Sequence, residues 1–153
     1  MPAGYSGTPL PKKLGIKPGV RVGTIRAPRG LLALLGDLPL GARLVRLRAG
    51  APACSVVLCF APDLRSLHEQ FERAVDVLEV NGGLWIAWPK RSSALASDIL
   101  ESDVRRHGLA IGLVDNKICA IDEDWSGLRF VVRVQDRPRW RERWLMRRGG
   151  LQN

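Results

Sequence analysis

The apolar positions of this chain fall into short runs with two different periods. Cys54 to Ala61 is a continuous apolar run, the pattern of a parallel strand covered on both faces. Leu64, Leu67, Phe71, Ala74, Val75 and Leu78 follow at helical spacing. They predict a helix with one buried face, opened by Pro62 or by Asp63 as N-cap and running to about Val80. Asn81-Gly82-Gly83 supplies residues that tolerate a left-handed turn at its end. Leu84 to Trp88 reads as the next buried strand.

Shorter elements surround this centre. Arg21 to Arg26 alternates and is strand-prone, Ala27 to Gly30 is a turn, Leu31 to Leu35 a short apolar helix, and Ala42 to Leu47 a second strand. After a loop at Pro89 to Ser93, a helix is expected from Ser93 or Ala94 to Arg106, ended by His107-Gly108. Gly112 to Ile121 and Leu128 to Val134 read as two strands joined by the turn Asp122 to Gly127, an antiparallel hairpin. The order β-α-β-β-α-β-α-β-β predicts a three-layer, Rossmann-like α/β fold. Its sheet of about six strands should be mostly parallel, with the hairpin as an antiparallel edge. Residues 1–19 form a basic arm, 20–135 the domain, and 136–153 a basic Arg/Trp tail; no internal repeat is visible.

Composition limits the function classes. With 153 residues and 46% hydrophobic content, the chain can bury one ordinary core. It has no apolar run long enough for a membrane-spanning helix and no secretory h-region near its start. Its three cysteines, all in apolar surroundings, fit buried thiols in a reducing cytoplasm. The net charge of +9 is unevenly placed: residues 1–50 hold nine Lys/Arg and one acid, residues 51–135 nine and twelve, and residues 136–153 six and two. Such asymmetry points to a polyanionic partner or to solvated ends.

Three stretches carry a family resemblance. They are Gly4-Tyr5-Ser6-Gly7-Thr8-Pro9-Leu10 with Lys12-Lys13-Leu14-Gly15-Ile16; Gly82-Gly83-Leu84-Trp85-Ile86-Ala87-Trp88-Pro89-Lys90; and Gly112-Leu113-Val114-Asp115-Asn116-Lys117 through Cys119, Asp122, Trp125, Ser126 and Gly127. Over about residues 4–133 the chain resembles the bacterial domain-of-unknown-function family 3052. That resemblance implies a bacterial protein and brings no activity with it. The layout is also similar to the later part of class I methyltransferases, where a Gly-Gly-strand segment precedes a helix and a long terminal hairpin. This implies a fold.

The residues argue against a conventional cofactor enzyme. The turn after the first strand, Arg26-Ala27-Pro28-Arg29-Gly30, has one glycine, and the second strand ends Leu47-Arg48-Ala49 without an acid. A nucleoside-cofactor site ordinarily has several glycines and that acid, so no cofactor is expected. No hydrolase motif and no metal spacing are present. His68 and His107 read as helix residues, and Cys59 as a buried, inert thiol.

Four places remain as candidates. Lys90, Arg91, Ser92 and Ser93 would form an anion site if a helix starts there, or a serine cap with two solvated cations. Asp115, Asn116 and Lys117 interrupt an apolar strand, which marks a bulge, a turn or a site, with Trp125 and Ser126 in the turn nearby. Lys12 and Lys13 lie on an arm that either straps the domain or reaches the ligand edge. In the tail, Arg137, Arg139, Trp140, Arg141, Trp144, Arg147 and Arg148 suit nucleic acid, an anionic membrane surface, a partner groove or docking on the domain itself. The expected function is a non-enzymatic or degenerate module binding a small anionic ligand or a protein partner. The alternatives are a nucleic-acid-associated protein acting through its basic ends and a diverged methyltransferase-like enzyme.

Overall fold

A computed structural model describes residues 7–152, with side chains through Met146. The strands are β1 (Arg21–Ile25), β2 (Arg43–Arg46), β3 (Cys54–Phe60), β4 (Leu78–Pro89), β5 (Leu113–Ala120) and β6 (Trp125–Val132). The helices are α1 (Leu10–Lys13), α2 (Leu31–Leu35), α3 (Leu64–Val77), α4 (Glu101–Ile111) and α5 (Arg137–Gln152). One sheet holds all six strands in the order β2-β1-β3-β4-β6-β5. The fold is the expected three-layer, Rossmann-like α/β arrangement.

The first four strands are mutually parallel, and β6 runs antiparallel to both β4 and β5. The hairpin was expected as an antiparallel edge. It is found there, with β6 set between β4 and β5, so that the outermost strand β5 is parallel to the first four. The crossover through α4 carries the chain one strand position beyond β4, and β6 returns into that gap.

The alternation of side chains builds two cores. Val57, Cys59, Leu84, Ile86, Trp88, Leu128 and Phe130 pack under α3 and α4 against Leu67, Phe71, Ala74 and Val104. Val56, Leu58, Phe60, Trp85, Ala87 and Trp125 face the other way, against Leu14, Ile16, Leu31 and Leu35. The Trp85 indole donates to the carbonyl of Leu14 at 3.0 Å in a buried bond. The N-terminal arm is thus a strap across this face. The part of it before Gly7, Tyr5 included, lies outside the described residues.

Three local expectations change. First, α3 stops at Val77 and β4 begins at once with Leu78, so Asn81-Gly82-Gly83 lies inside a strand. Neither glycine has positive φ. A Cβ on Gly82 would strike the Ser55 carbonyl, and one on Gly83 the Arg129 guanidinium. These glycines serve close approach rather than a turn. Second, α4 begins at Glu101, and residues 90–100 form a loop. Ser93 hydrogen-bonds elsewhere and does not open a helix. Third, β6 starts at Trp125, because Trp125 continues the ladder opposite Pro89.

The tail folds on its own domain as α5. Trp140 packs partly buried against the core, and Arg143 lies 5.8 Å over its ring. Among the described residues no helix is long and apolar enough to cross a membrane.

The α3–α4 seam is tight. His107 stacks 4.8 Å from Phe71 and 5.0 Å from His68, centroid to centroid. Gly108 has no room for a Cβ, which would enter the Phe130 ring. Gly108→Ala is expected to destabilise the fold by about 1–3 kcal/mol through overpacking, despite alanine's better helix propensity; urea unfolding measures it. Burial, then the neighbouring His68, lowers the His107 pKa from its ordinary 6.5, while Glu72 opposes the shift. Below about pH 6.5 the unfolded chain therefore takes up this proton first, and stability falls as pH falls. The Tm should drop between neutral pH and about pH 5, with a shallower dependence in His107→Gln.

Candidate functional site

In an open parallel sheet the ligand crevice lies beyond the carboxyl ends of the strands, where successive crossovers leave in opposite directions. Here that point is between β1 and β3. The chain leaves β1 through α2 toward β2 on one side, and β3 through α3 toward β4 on the other.

Four segments line this edge. After β1, Arg26 adopts φ 53°, the only positive φ at a non-glycine among the described residues. Gly30 follows at φ 84°, with open space where a Cβ would be. After β2, the Leu47 amide donates to the Thr24 carbonyl at 2.9 Å, which keeps the end of β2 beside the end of β1. After β3, Asp63 caps α3, its Oδ1 accepting from the Ser66 amide at 2.8 Å. That bond, with further help from the Ser66 hydroxyl and Arg26, holds the Asp63 carboxyl below the usual range. After β4 comes the loop 90–100.

This loop is fixed at both ends. The Lys90 amide donates to the Asp124 carbonyl at 2.8 Å. The Ser93 hydroxyl donates to Asp124 Oδ1 at 2.7 Å and accepts from the Leu95 amide at 2.9 Å. Further on, the Ser97 hydroxyl donates to the Pro62 carbonyl, and the Leu64 amide donates to Asp98 Oδ1 at 3.0 Å. The loop is therefore a rim joining the start of α3 to the β5–β6 turn. That turn is itself shaped by Asp122 Oδ1, which accepts from the amides of Asp124 and Trp125.

The sequence-chosen residues do not converge. Lys90, Arg91, Ser92 and Ser93 lie on the rim, but no helix starts there, and Ser93 is committed to Asp124. Trp125 is buried, edge-on to Phe60 at 5.2 Å. It is core because it lies in a strand and not in the turn. Ser126 is held in the ladder between Trp88 and Ala120. Asp115, Asn116 and Lys117 form the expected bulge, since the β5 register shifts between Asp115 and Lys117. They tie the edge strand to its neighbours: Asp115 pairs with Arg105 at 3.1 Å, Asn116 accepts from Arg129 at 3.3 Å, and Lys117 donates to the Lys13 carbonyl at 3.0 Å. Lys12 stays exposed on α1.

The tail residues lie at the opposite end of the sheet. Arg141, Trp144 and Leu145 meet Glu79, Val80 and Asn81 across a cleft of about 240 Å³ at the start of β4. Arg137 is half-buried, and Arg139 pairs with Asp136 at 3.5 Å. The side chains of Arg147 and Arg148 lie outside the described residues.

Sequence reasoning named the edge loops but missed the residues that dominate the β1–β2 end. Arg26, Arg29, Arg46 and Arg48 all stand there exposed. The sequence signal is the pair Arg46 and Arg48 at the end of β2, where an acid is absent.

No family model matches the chain, and no curated protein does. Solved structures do. An O-methyltransferase of neocarzinostatin biosynthesis, in complex with S-adenosylmethionine, has TM-score 0.55 at 13% identity, over 86% of this chain and 51% of that one. TrmN from Thermus thermophilus has TM-score 0.53 at 15% identity, over 81% and 47%. A TehB-like methyltransferase from Corynebacterium glutamicum has TM-score 0.52 at 11% identity, over 86% and 91%. This chain thus spans about half the length of the first two. It has their Rossmann-like fold. The expectation that no cofactor is involved is corrected by this finding, since the fold is shared with S-adenosylmethionine-dependent enzymes, one of them holding that cofactor.

The residues present fit such a group only in part. The turn after β1 leaves open space at Gly30. The end of β2, where ribose hydroxyls need an acceptor, offers Arg46 and Arg48, which are donors only. The S-adenosyl sulfonium is also a cation, which these arginines repel. No metal-binding group of three His, Cys, Asp or Glu residues occurs among the described residues.

Cys59, on the strand at the switch point, has its thiol pushed up to about 12 by burial, with Arg26 and Arg73 opposing weakly. It should stay unlabelled by iodoacetamide in the native protein at about pH 8 and react fully once unfolded. Rapid native labelling, read by mass spectrometry of the Cys59 peptide, would refute its inert placement.

Proposed function

We propose that this chain is a diverged methyltransferase-like module that binds an adenosine-containing ligand in the crevice beyond β1 and β3. The observation that carries the reading is the strand order, four parallel strands followed by one antiparallel strand set in before a parallel edge. The turn that carries Gly30 and the cap of α3 follow the carboxyl ends of the neighbouring parallel strands β1 and β3, which supports a ligand between them. A nucleoside would lie across that switch point. The shared fold with S-adenosylmethionine-dependent enzymes supports adenosine as the common part of the ligand. The ribose end departs from that pattern, so no methyl-transfer step is assigned.

Calorimetry on the full chain with S-adenosylmethionine, S-adenosylhomocysteine and adenosine 5′-monophosphate tests the reading. At least one should bind saturably, and at roughly a hundred times its Kd should stabilise the fold by about 2.7 kcal/mol. Gly30→Val places a β-branched side chain at φ 84° in the open turn, and should weaken binding by about tenfold or more. Absence of heat and of a thermal shift with every adenosine compound would refute the reading.

A further inference from the structure

We infer that the ribose end of this crevice is a phosphate site, and that the ligand is an adenine nucleotide carrying a phosphate monoester on its ribose 2′ or 3′ hydroxyl. The inference rests on the adenosine reading above and narrows the ligand class.

The starting point is what replaces the missing acid. β2 ends at Arg46, and Leu47 turns inward against the α3–α4 core. Arg46 ends β2 on its exposed side, and Arg48 follows at the start of the turn beyond it, its carbonyl accepting from the Ala51 amide. The bond from Leu47 to Thr24 holds them beside the end of β1, where Arg26 and Arg29 follow. All four side chains are exposed, and none makes a side-chain hydrogen bond or ion pair among the described residues. Some arginines elsewhere are engaged, Arg65 with Glu69, Arg105 with Glu101 and Asp115, and Arg21 with the Ala53 carbonyl; others, such as Arg91 and Arg106, stand singly in solvent, so it is the grouping of these four at two neighbouring strand ends that sets them apart.

Asp63 partly offsets Arg26, but acids are otherwise few here. From Met1 to Pro62 the only acid is Asp37. It lies in the connection from α2 to β2, which returns to the opposite end of the sheet, where the Gly19 amide donates to Leu40 and the Arg43 amide to Val20. On the ligand edge the first acid is Asp63, already committed to the Ser66 amide. Four like charges on two adjacent strand ends repel one another in the free protein. A bound dianion removes that repulsion. Arg26 adds a backbone held at φ 53°, a conformation that arginine adopts only when its surroundings impose it.

The chemistry of the donors then selects the ligand. A carboxylate at the end of the second strand accepts from free ribose hydroxyls, whereas an arginine there accommodates a phosphate on the ribose. Guanidinium groups donate in a planar fork that matches phosphate oxygens two at a time. A free ribose beside Arg46 and Arg48 would find no acceptor; a phosphorylated one finds several donors.

The test is calorimetry on the full chain with adenosine 2′,5′-bisphosphate, adenosine 3′,5′-bisphosphate and adenosine 5′-monophosphate. One bisphosphate should bind at least about tenfold more tightly than the monophosphate. The double variant Arg46→Gln, Arg48→Gln should erase that preference, so that on the variant the bisphosphate and monophosphate Kd values agree within about twofold. Both positions are on the surface, and circular dichroism checks the fold. If the three nucleotides bind alike, the phosphate assignment falls and the adenosine reading stands. If the preference survives the double variant, the phosphate is held elsewhere and the assignment to these arginines falls. If a single-stranded oligonucleotide competes through the same arginines more tightly than either bisphosphate, the site is a polyanion surface and the mononucleotide assignment is overturned. If no adenosine compound binds at all, both readings fail together.

Discussion

The rest of this structure depends on β4 being paired along both edges at once. Leu84 to Ala87 pair in parallel with β3 on one side and antiparallel with β6 on the other. That double pairing is where the sheet changes direction. It requires close packing at the start of the strand, where Gly82 abuts the Ser55 carbonyl and Gly83 lies under the Arg129 guanidinium. A side chain at Gly82 would force β3 and β4 apart, and one at Gly83 would displace the Arg129 guanidinium. Burial of the Arg129 guanidinium lowers its pKa, and its bond to Asn116 links this crowded point to the bulge in β5.

Both cores follow from the same strand. Leu84, Ile86 and Trp88 point toward α3 and α4, while Trp85 and Ala87 point toward the N-terminal strap. The Trp85 indole could not be buried without a partner except at a cost of about 1–3 kcal/mol, and the Leu14 carbonyl supplies that partner. The arm is therefore part of the fold and not a loose extension. The end of β4 in turn sets the rim of the crevice, because Lys90 and Ser93 are pinned to Asp124 in the β5–β6 turn.

These dependences explain what was legible in the sequence. β3 and α3 were readable because their signals are local: an unbroken apolar run, a helical stripe and an aspartate cap. The start of α4 was not, because Ser93 takes its partner from Asp124, 31 positions away. The glycine pair was misread for a related reason. A glycine that permits a left-handed turn and one that permits contact look alike in sequence, and only the packing partner separates them. The β6 placement depends on a gap left by a crossover, which no local pattern encodes. At the site, Lys90 to Ser93 were chosen for a helix start that the loop does not contain. Of the three readings open at Asp115 to Lys117, a bulge, a turn or a site, the ladder has the bulge, and its polar groups tie the edge strand to its neighbours.

The uneven charge of the chain takes on a different meaning in three dimensions. Along the sequence, the excess of Lys and Arg in residues 1–50 looks like a basic end. In the fold, four of those nine cations, Arg26, Arg29, Arg46 and Arg48, stand on two neighbouring strand ends at the switch point. Only the parallel pairing of β1 and β2, in which Thr24 lies opposite Arg46, brings them to one edge. A flexible basic tail attracts any polyanion, with an affinity set by salt. Arginines anchored on ordered strand ends present their charge at a set place, and discrimination between ligands can then follow from geometry. On the proposed reading, the sheet decides where a nucleoside would lie, and the residues ending β2 which ribose it would carry.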